Sequence, residues 1–182
     1  PPAQGLTEPD ADKPGASPWN KAPRLAGQVL ETGALARQLA QGQPLLRALW
    51  QRSRGNVFTR VLARAMELAQ LVLLAQDCLR AVVPGAPCCE EAHLPEAADA
   101  VGLCEAARGS LGHWLSIRGG RIASYQIVAP TGWNFSPRDH AGTPGALEAA
   151  LVGAPVLAGE TSPVAVQHIV RSFDPCMVCT VH

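Results

Sequence analysis

The run from Asn56 to Val83 constrains this chain more than any other. It places apolar side chains at Val57, Phe58, Val61, Leu62, Ala65, Met66, Ala69, Val72, Leu73, Leu79 and Val83. Spacings of three and four residues are a helical period. The positions cover more than one stripe, which predicts a long helix buried on most sides. It stops before Pro84, Gly85 and Pro87. Something has to cover such a helix, and the composition is poor in water-seeking groups. Charged residues are 16% of the 182, against roughly 25% in an ordinary soluble domain, while hydrophobic residues are 47%. The chain is therefore expected to have little solvated surface of its own. Fifteen basic and fifteen acidic side chains cancel to a net charge of zero, and no Lys/Arg cluster stands out. This argues against a nucleic-acid or anionic-membrane surface, since both need concentrated positive charge. No apolar stretch reaches the ~18 residues of a membrane span, so no direct span is expected. The length is that of one ordinary domain.

Around the long helix the pattern is mainly helical. Residues 1–18 are rich in Pro, Gly, Ser and acidic groups and read as an irregular segment, with 19–182 as the domain proper. The opening at Pro1 has no basic or apolar leader pattern and is expected to be a cut end. Leu35, Ala36, Leu39 and Ala40, then Leu45, Leu46 and Leu49, predict two short helices broken at Gly42 and Pro44. Pro84 to Leu103 reads as a loop with one turn of helix. From Leu111 to Val128, residues alternate on either side of Arg118-Gly119-Gly120 and predict a β-hairpin. A long loop over Ala129 to Thr143 and a short helix through Leu147, Ala150 and Leu151 follow. Ser162-Pro163 then has the form of a hydroxyl N-cap before a first-turn proline. The expected fold class is mainly α with a small β-hairpin or sheet.

Of the six cysteines, Cys78, Cys88, Cys89 and Cys104 lack an informative spacing and read as reduced, partly buried thiols. Cys176 and Cys179 form a CxxC that follows Asp174-Pro175 and precedes His182. Asp-Pro is a helix-start signature, and a helix N-terminus favours thiolates, the ligands of soft and borderline metals. At this point a zinc half-site, a redox pair and an iron or nickel ligand pair all remain open. His113, His140 and His168 have no ligand spacing.

The motifs narrow the choice when taken together. Lys21-Ala22-Pro23-Arg24, Gly33-Ala34-Leu35-Ala36-Arg37, Glu105-Ala106-Ala107-Arg108-Gly109, Tyr125 through Asn134, Pro137-Arg138-Asp139 and Phe173 through His182 occur in one order. In that wording, residues 17 to 182 resemble the large subunit of nickel-iron hydrogenases. The resemblance implies an incomplete version of that family's helical bundle. It also implies a nickel-iron centre whose iron carries carbon monoxide and cyanide. Cys176 matches a terminal nickel thiolate able to take a proton as dihydrogen splits heterolytically, and Cys179 matches a nickel-iron bridge. Arg108 matches the arginine over the open metal positions and a donor to one cyanide. Thr131, after Pro130, matches the donor to the other. Asp174 matches a carboxylate near that arginine. His182 and the backbone carbonyl of Ile127 match ligands of a magnesium or similar divalent ion. Ala107 departs from the family, which usually has proline there, so the loop holding Arg108 is expected to be less rigid.

The family's first CxxC motif is absent from the chain and is expected in an N-terminal part preceding Pro1. The chain also lacks the four suitably spaced cysteines of an iron-sulfur cluster. The resemblance therefore implies two partners, the N-terminal part of the large subunit and an iron-sulfur small subunit, with dihydrogen as substrate. It fits an enzyme, a hydrogen-sensing subunit or a maturation scaffold carrying the iron-ligand unit. The location it implies is cytoplasmic, or membrane-associated through partner subunits.

Overall fold

The computed structural model describes residues 7, 10–16, 18–89 and 92–176. Residues 10–16 carry turns and no regular element. Helices α1 (Ala34–Ala40) and α2 (Pro44–Ser53) pack on α3 (Val57–Ala81). Proline in the first turn starts α2, where the Gln43 side chain accepts hydrogen bonds from the amides of Leu45 and Leu46. Asn56 starts α3 with a reciprocal cap. Its Oδ1 accepts from Thr59 N, and Thr59 Oγ1 accepts from Asn56 N. The core lies where the three helices meet, with Ala34, Leu35, Leu46 and Ala63 buried and Leu39, Leu49, Leu62 and Met66 packed against them.

Burial on α3 is confined to the N-terminal half, which corrects the expectation of a helix covered on most sides. Thr59, Arg60 and Ala63 are its buried residues, whereas Leu68, Leu71, Val72, Leu73, Leu74 and Leu79 are 49–73% exposed. The reason is reach: α1 and α2 are shorter than α3 and cover only its beginning. The helix itself is not long and apolar enough to cross a membrane, nor is any other among the described residues.

The sheet has three antiparallel strands in the order β1 (Ala97–Ala106), β2 (Gly109–Arg118) and β3 (Arg121–Val128). β2 and β3 form the expected hairpin. Gly119 and Gly120, at φ 58° and 65°, form its two-residue turn, a conformation suited to glycine. β1 corrects the expected loop. Its sequence, Ala-Ala-Asp-Ala-Val-Gly-Leu-Cys-Glu-Ala, has little strand propensity. It is held by a ten-residue register on β2, from Ala97 opposite Arg118 to Ala106 opposite Gly109. Arg118 adds hydrogen bonds at 2.9 Å to both carboxylate oxygens of Asp99.

Three short helices complete the chain: α4 (Pro130–Asn134), α5 (Ala146–Leu151) and α6 (Val164–Ser172). α4 lies inside the stretch expected to be a loop, and a five-residue helix opened by proline leaves no periodic trace. α6 begins where expected but is capped differently. Glu160, not Ser162, accepts the Val164 amide at 2.7 Å, while Ser162 Oγ accepts from Gln167. The thiols of Cys78, Cys88, Cys89 and Cys104 are exposed, not partly buried, because none of the described residues forms a layer over the end of α3, the following loop and the outer strand.

Candidate metal centre

Three loops and the start of α4 come together, and polar side chains distant in sequence tie them to one another. The first is Thr32-Gly33, before α1. The Asn134 side chain accepts from Thr32 N at 2.9 Å and donates to Thr32 O at 3.0 Å, which fixes the end of α4 to this loop. Asn20 donates to the carbonyls of Thr131 and Phe135 and holds α4 from the other side.

The second loop is the Ala107-Arg108 turn between β1 and β2. Gly109 follows it at φ 136°, and a Cβ there would overlap the Thr32 side chain. Glycine is thus required both by the backbone angle and by close approach to the first loop. Arg37 on α1 anchors the turn by donating to the carbonyls of Ala106 and Ala107 at 2.9 and 3.0 Å.

The third segment is the start of α4, with Pro130 and Thr131. Pro130 occupies the first turn of α4 and is buried, as is Thr131. Arg24 laces the chain beyond α4 through Ser136 Oγ, the carbonyls of Pro137 and Thr143, and the Asp139 carboxylate at 3.3 Å. Backbone amides of Thr143 and Ala141, together with Arg24, hold the Asp139 carboxyl below its ordinary pKa.

The fourth segment is the loop from Ser172 to Cys176. Arg60 of α3 binds Glu31 at 2.7 and 2.9 Å, reaches Ser172 Oγ and lies 3.8 Å over the Phe173 ring. Arg64 donates to the Ser172 carbonyl at 2.7 Å. Phe173 is buried and meets Phe135 edge-on, joining the ends of α6 and α4. Asp174 then turns the chain with φ 54°, the left-handed conformation that Asp tolerates better than most residues. This is not the extended backbone of a helix N-cap, and residues 175 and 176, where the predicted helix would begin, are not helical; the rest of that prediction, 177–182, lies outside the described residues.

This convergence brings together four of the residues singled out in the sequence. Thr131 Oγ1 accepts a hydrogen bond from the Cys176 amide at 3.3 Å, and its own O–H remains able to donate. Arg108 Nε lies 3.3 Å from Asp174 Oδ1, both side chains being partly exposed. The contact is one of charge, because Nε is buried and has no hydrogen-bond partner among the described residues. An orphaned donor is costly unless an acceptor is provided. Such a donor, a free hydroxyl and a cysteine at one loop junction are a suitable donor set for a thiolate-bound metal carrying anionic ligands.

Ile127 stands apart from these groups. Its carbonyl accepts from Lys21 Nζ at 2.9 Å, and Lys21 also donates to Gln126 Oε1 at 3.1 Å. The carbonyl therefore faces a cation, which here is the chain's own ammonium group. Burial lowers the Lys21 pKa. Cys179 and His182 lie outside the described residues. Among the described residues, no group of three or more His, Cys, Asp or Glu side chains could hold a metal ion. Asn134 acts as the scaffold residue that its place beside Thr131 suggests, whereas the sequence gives no sign of Asn20 and Arg60 as tethers. Their partners are 29 to 115 residues away, and no local spacing signals such a bond.

Comparison with known proteins agrees with the geometry. The family model for nickel-dependent hydrogenase matches residues 1–182. The periplasmic [NiFeSe] hydrogenase large subunit of Desulfomicrobium baculatum is 38% identical over 98% of this chain and 38% of its own length. An uptake hydrogenase large subunit from Rhodobacter capsulatus is 35% identical over 90% of this chain and 31% of its own. Among solved structures, the Dm. baculatum [NiFeSe]-hydrogenase superposes with a TM-score of 0.83 at 39% identity, covering 98% of this chain and 40% of that one. The Ni-Fe-Se hydrogenase from D. vulgaris Hildenborough gives 0.83 at 36% identity, with 99% and 41% covered. The chain thus spans about two fifths or less of the relatives it matches. It belongs to the nickel-dependent hydrogenase family.

Proposed function

We propose that this chain is part of a hydrogenase large subunit and supplies Cys176 and Cys179 as thiolate ligands of a nickel-iron centre. The observation that carries this reading is the junction of Cys176, Thr131, Arg108 and Asp174, built from loops far apart in sequence. When bound, the centre, with carbon monoxide and cyanide on its iron, supplies the place where dihydrogen is cleaved heterolytically into protons and electrons.

The chain's own residues prepare that place. The Cys176 sulfur is a ligand and also a base that can take a proton beside the metal. Arg108 is a fixed cation directed at the reacting position, and its unsatisfied Nε suits a cyanide nitrogen. Asp174 keeps the guanidinium in place by charge. The Thr131 hydroxyl, supported by Pro130 in the first turn of α4, is free to donate to a second cyanide. The Ile127 carbonyl and His182 are assigned to a magnesium or similar ion, for which the Lys21 ammonium marks a cation-facing carbonyl.

Two partners complete the assembly. The N-terminal part of the large subunit contributes the other cysteine ligands, and an iron-sulfur small subunit carries electrons away. The test uses the complete large subunit purified with its small subunit. Nickel and iron together, with dihydrogen oxidation by a dye acceptor, are expected. Iron without nickel would overturn the reading in favour of a maturation scaffold.

A further inference from the structure

The strongest feature without an assigned role is the Arg37 guanidinium, whose side chain is mostly buried and which uses every donor it has. Nε and one terminal nitrogen bind the two Glu67 oxygens at 2.7 and 2.6 Å. The other terminal nitrogen binds Glu105 at 2.9 Å and the Ala106 carbonyl at 2.9 Å. The remaining hydrogen goes to the Ala107 carbonyl at 3.0 Å. A guanidinium has five N–H donors in a planar fork, and here each meets an acceptor. Glu67, on α3, holds the fork in place, and the fork in turn grips successive carbonyls of the β1–β2 turn. Arg108 is the next residue.

We propose that Arg37 is the positioning residue for Arg108: it fixes the backbone of the Ala106-Ala107-Arg108 turn from the helical layer, a restraint that the alanine at 107 does not provide. The inference rests on the reading of Arg108 given under Proposed function. Proline would restrain the same turn through its ring, since it locks φ near −65°. Neither Ala107 nor Arg108 has a positive φ, and proline is at home in the first central position of such a turn. Ala106 is in a strand, the backbone region that a following proline prefers. Clamp and ring are therefore alternative restraints on one segment, and one should compensate for loss of the other. Lysine cannot replace Arg37, because a single ammonium lacks the fork that reaches both carbonyls and Glu67 together.

The test compares the parent, Arg37→Lys, Ala107→Pro and the double variant in the complete large subunit assembled with its small subunit. Arg37→Lys is expected to lower kcat on the order of tenfold to a hundredfold with KM and nickel content unchanged, the cost of misplacing a positioned group. Deuterium uptake over residues 104–111 should quicken about tenfold, as for a lost local restraint of about 1.4 kcal/mol. Adding Ala107→Pro should recover both. Recovery separates positioning from a general loss of α1–α3 packing, which proline at 107 could not mend. Should Arg37→Lys fail to assemble, Glu67→Gln loosens the same clamp from α3 and is read in the same two ways. Unchanged kcat and uptake in the clamp variant, or no recovery by Ala107→Pro, would overturn the proposal. A parent enzyme without nickel or turnover would instead overturn the function assigned to Arg108, and deuterium uptake would still test the clamp.

Discussion

The two ends of α3 are opposites. At its start, Arg60 and Arg64 reach into a polar lattice that holds Ser172 and Phe173, four and three residues before Cys176. Towards its end, Leu68, Leu71, Val72, Leu73, Leu74 and Leu79 are largely exposed among the described residues. The outer strand β1 shares this character, with Val101 and Leu103 exposed. The first region carries its supports within the chain, while the second exposes a series of large apolar side chains, a feature that marks interaction sites. The difference teaches that the described residues brace the junction at Cys176 from within but leave the far half of α3 and the outer strand uncovered. Under the function proposed above, the rest of the large subunit and the small subunit are what covers these faces.

Four variants would break or sharpen this contrast, taken from the largest expected effect to the smallest. At the laced end, Arg108→Lys should lower dihydrogen turnover of the complete enzyme by on the order of a hundredfold to a thousandfold, as for other preorganised charge-stabilising donors, with nickel retained. A rate within a factor of two of the parent would remove Arg108 from the chemistry. On the bare end of α3, Leu74→Asp should destabilise the complete large subunit by about 3 kcal/mol or more, because a covered site would bury an unpaired charge. A shift in the denaturation midpoint worth less than about 0.5 kcal/mol would mean that this face meets water in the whole protein.

Glu31→Ala probes the laced end by stability. It leaves Arg60 buried with half its partners gone, and the partial exposure of Glu31 keeps the expected loss near the low end for such pairs, about 3 kcal/mol. The smallest effect is expected at Asp139. Its carboxyl pKa is held down in the fold, first by the Thr143 amide and then by Ala141 and Arg24. Stability from this source is present above the ordinary aspartate pKa and is lost as pH falls through the lowered folded value. The gap in melting temperature between the parent and Asp139→Asn should therefore be widest near neutrality and close below about pH 4. A gap that does not vary with pH would show that the charge of Asp139 contributes nothing.

Legibility in the sequence also differed between these regions. The helices α1, α2, α3 and α6 and the β2–β3 hairpin could be read because strong periods or Gly and Pro punctuation mark them. β1 could not, since an alanine-rich acidic segment becomes a strand only through pairing with β2. Burial of α3 was overestimated because an apolar helix declares that it needs cover without declaring whether its own chain supplies it. Cys176, Arg108, Thr131 and Asp174 were legible as a set only through resemblance to a family, since the spacing of Cys176 and Cys179 left several metals and a redox pair open. Arg37, Asn20 and Arg60 remained hidden in their roles, because each acts across a fold-level distance that one sequence does not display.

The central claim is that the loop junction at Cys176 is one side of a nickel-iron centre. Its most direct test is metal analysis of the complete large subunit, assembled with its small subunit, for the parent and for Cys176→Ser. The account predicts nickel in amounts matching the protein in the parent and loss of both nickel and dihydrogen turnover in the variant. Full nickel occupancy and turnover in Cys176→Ser would contradict it.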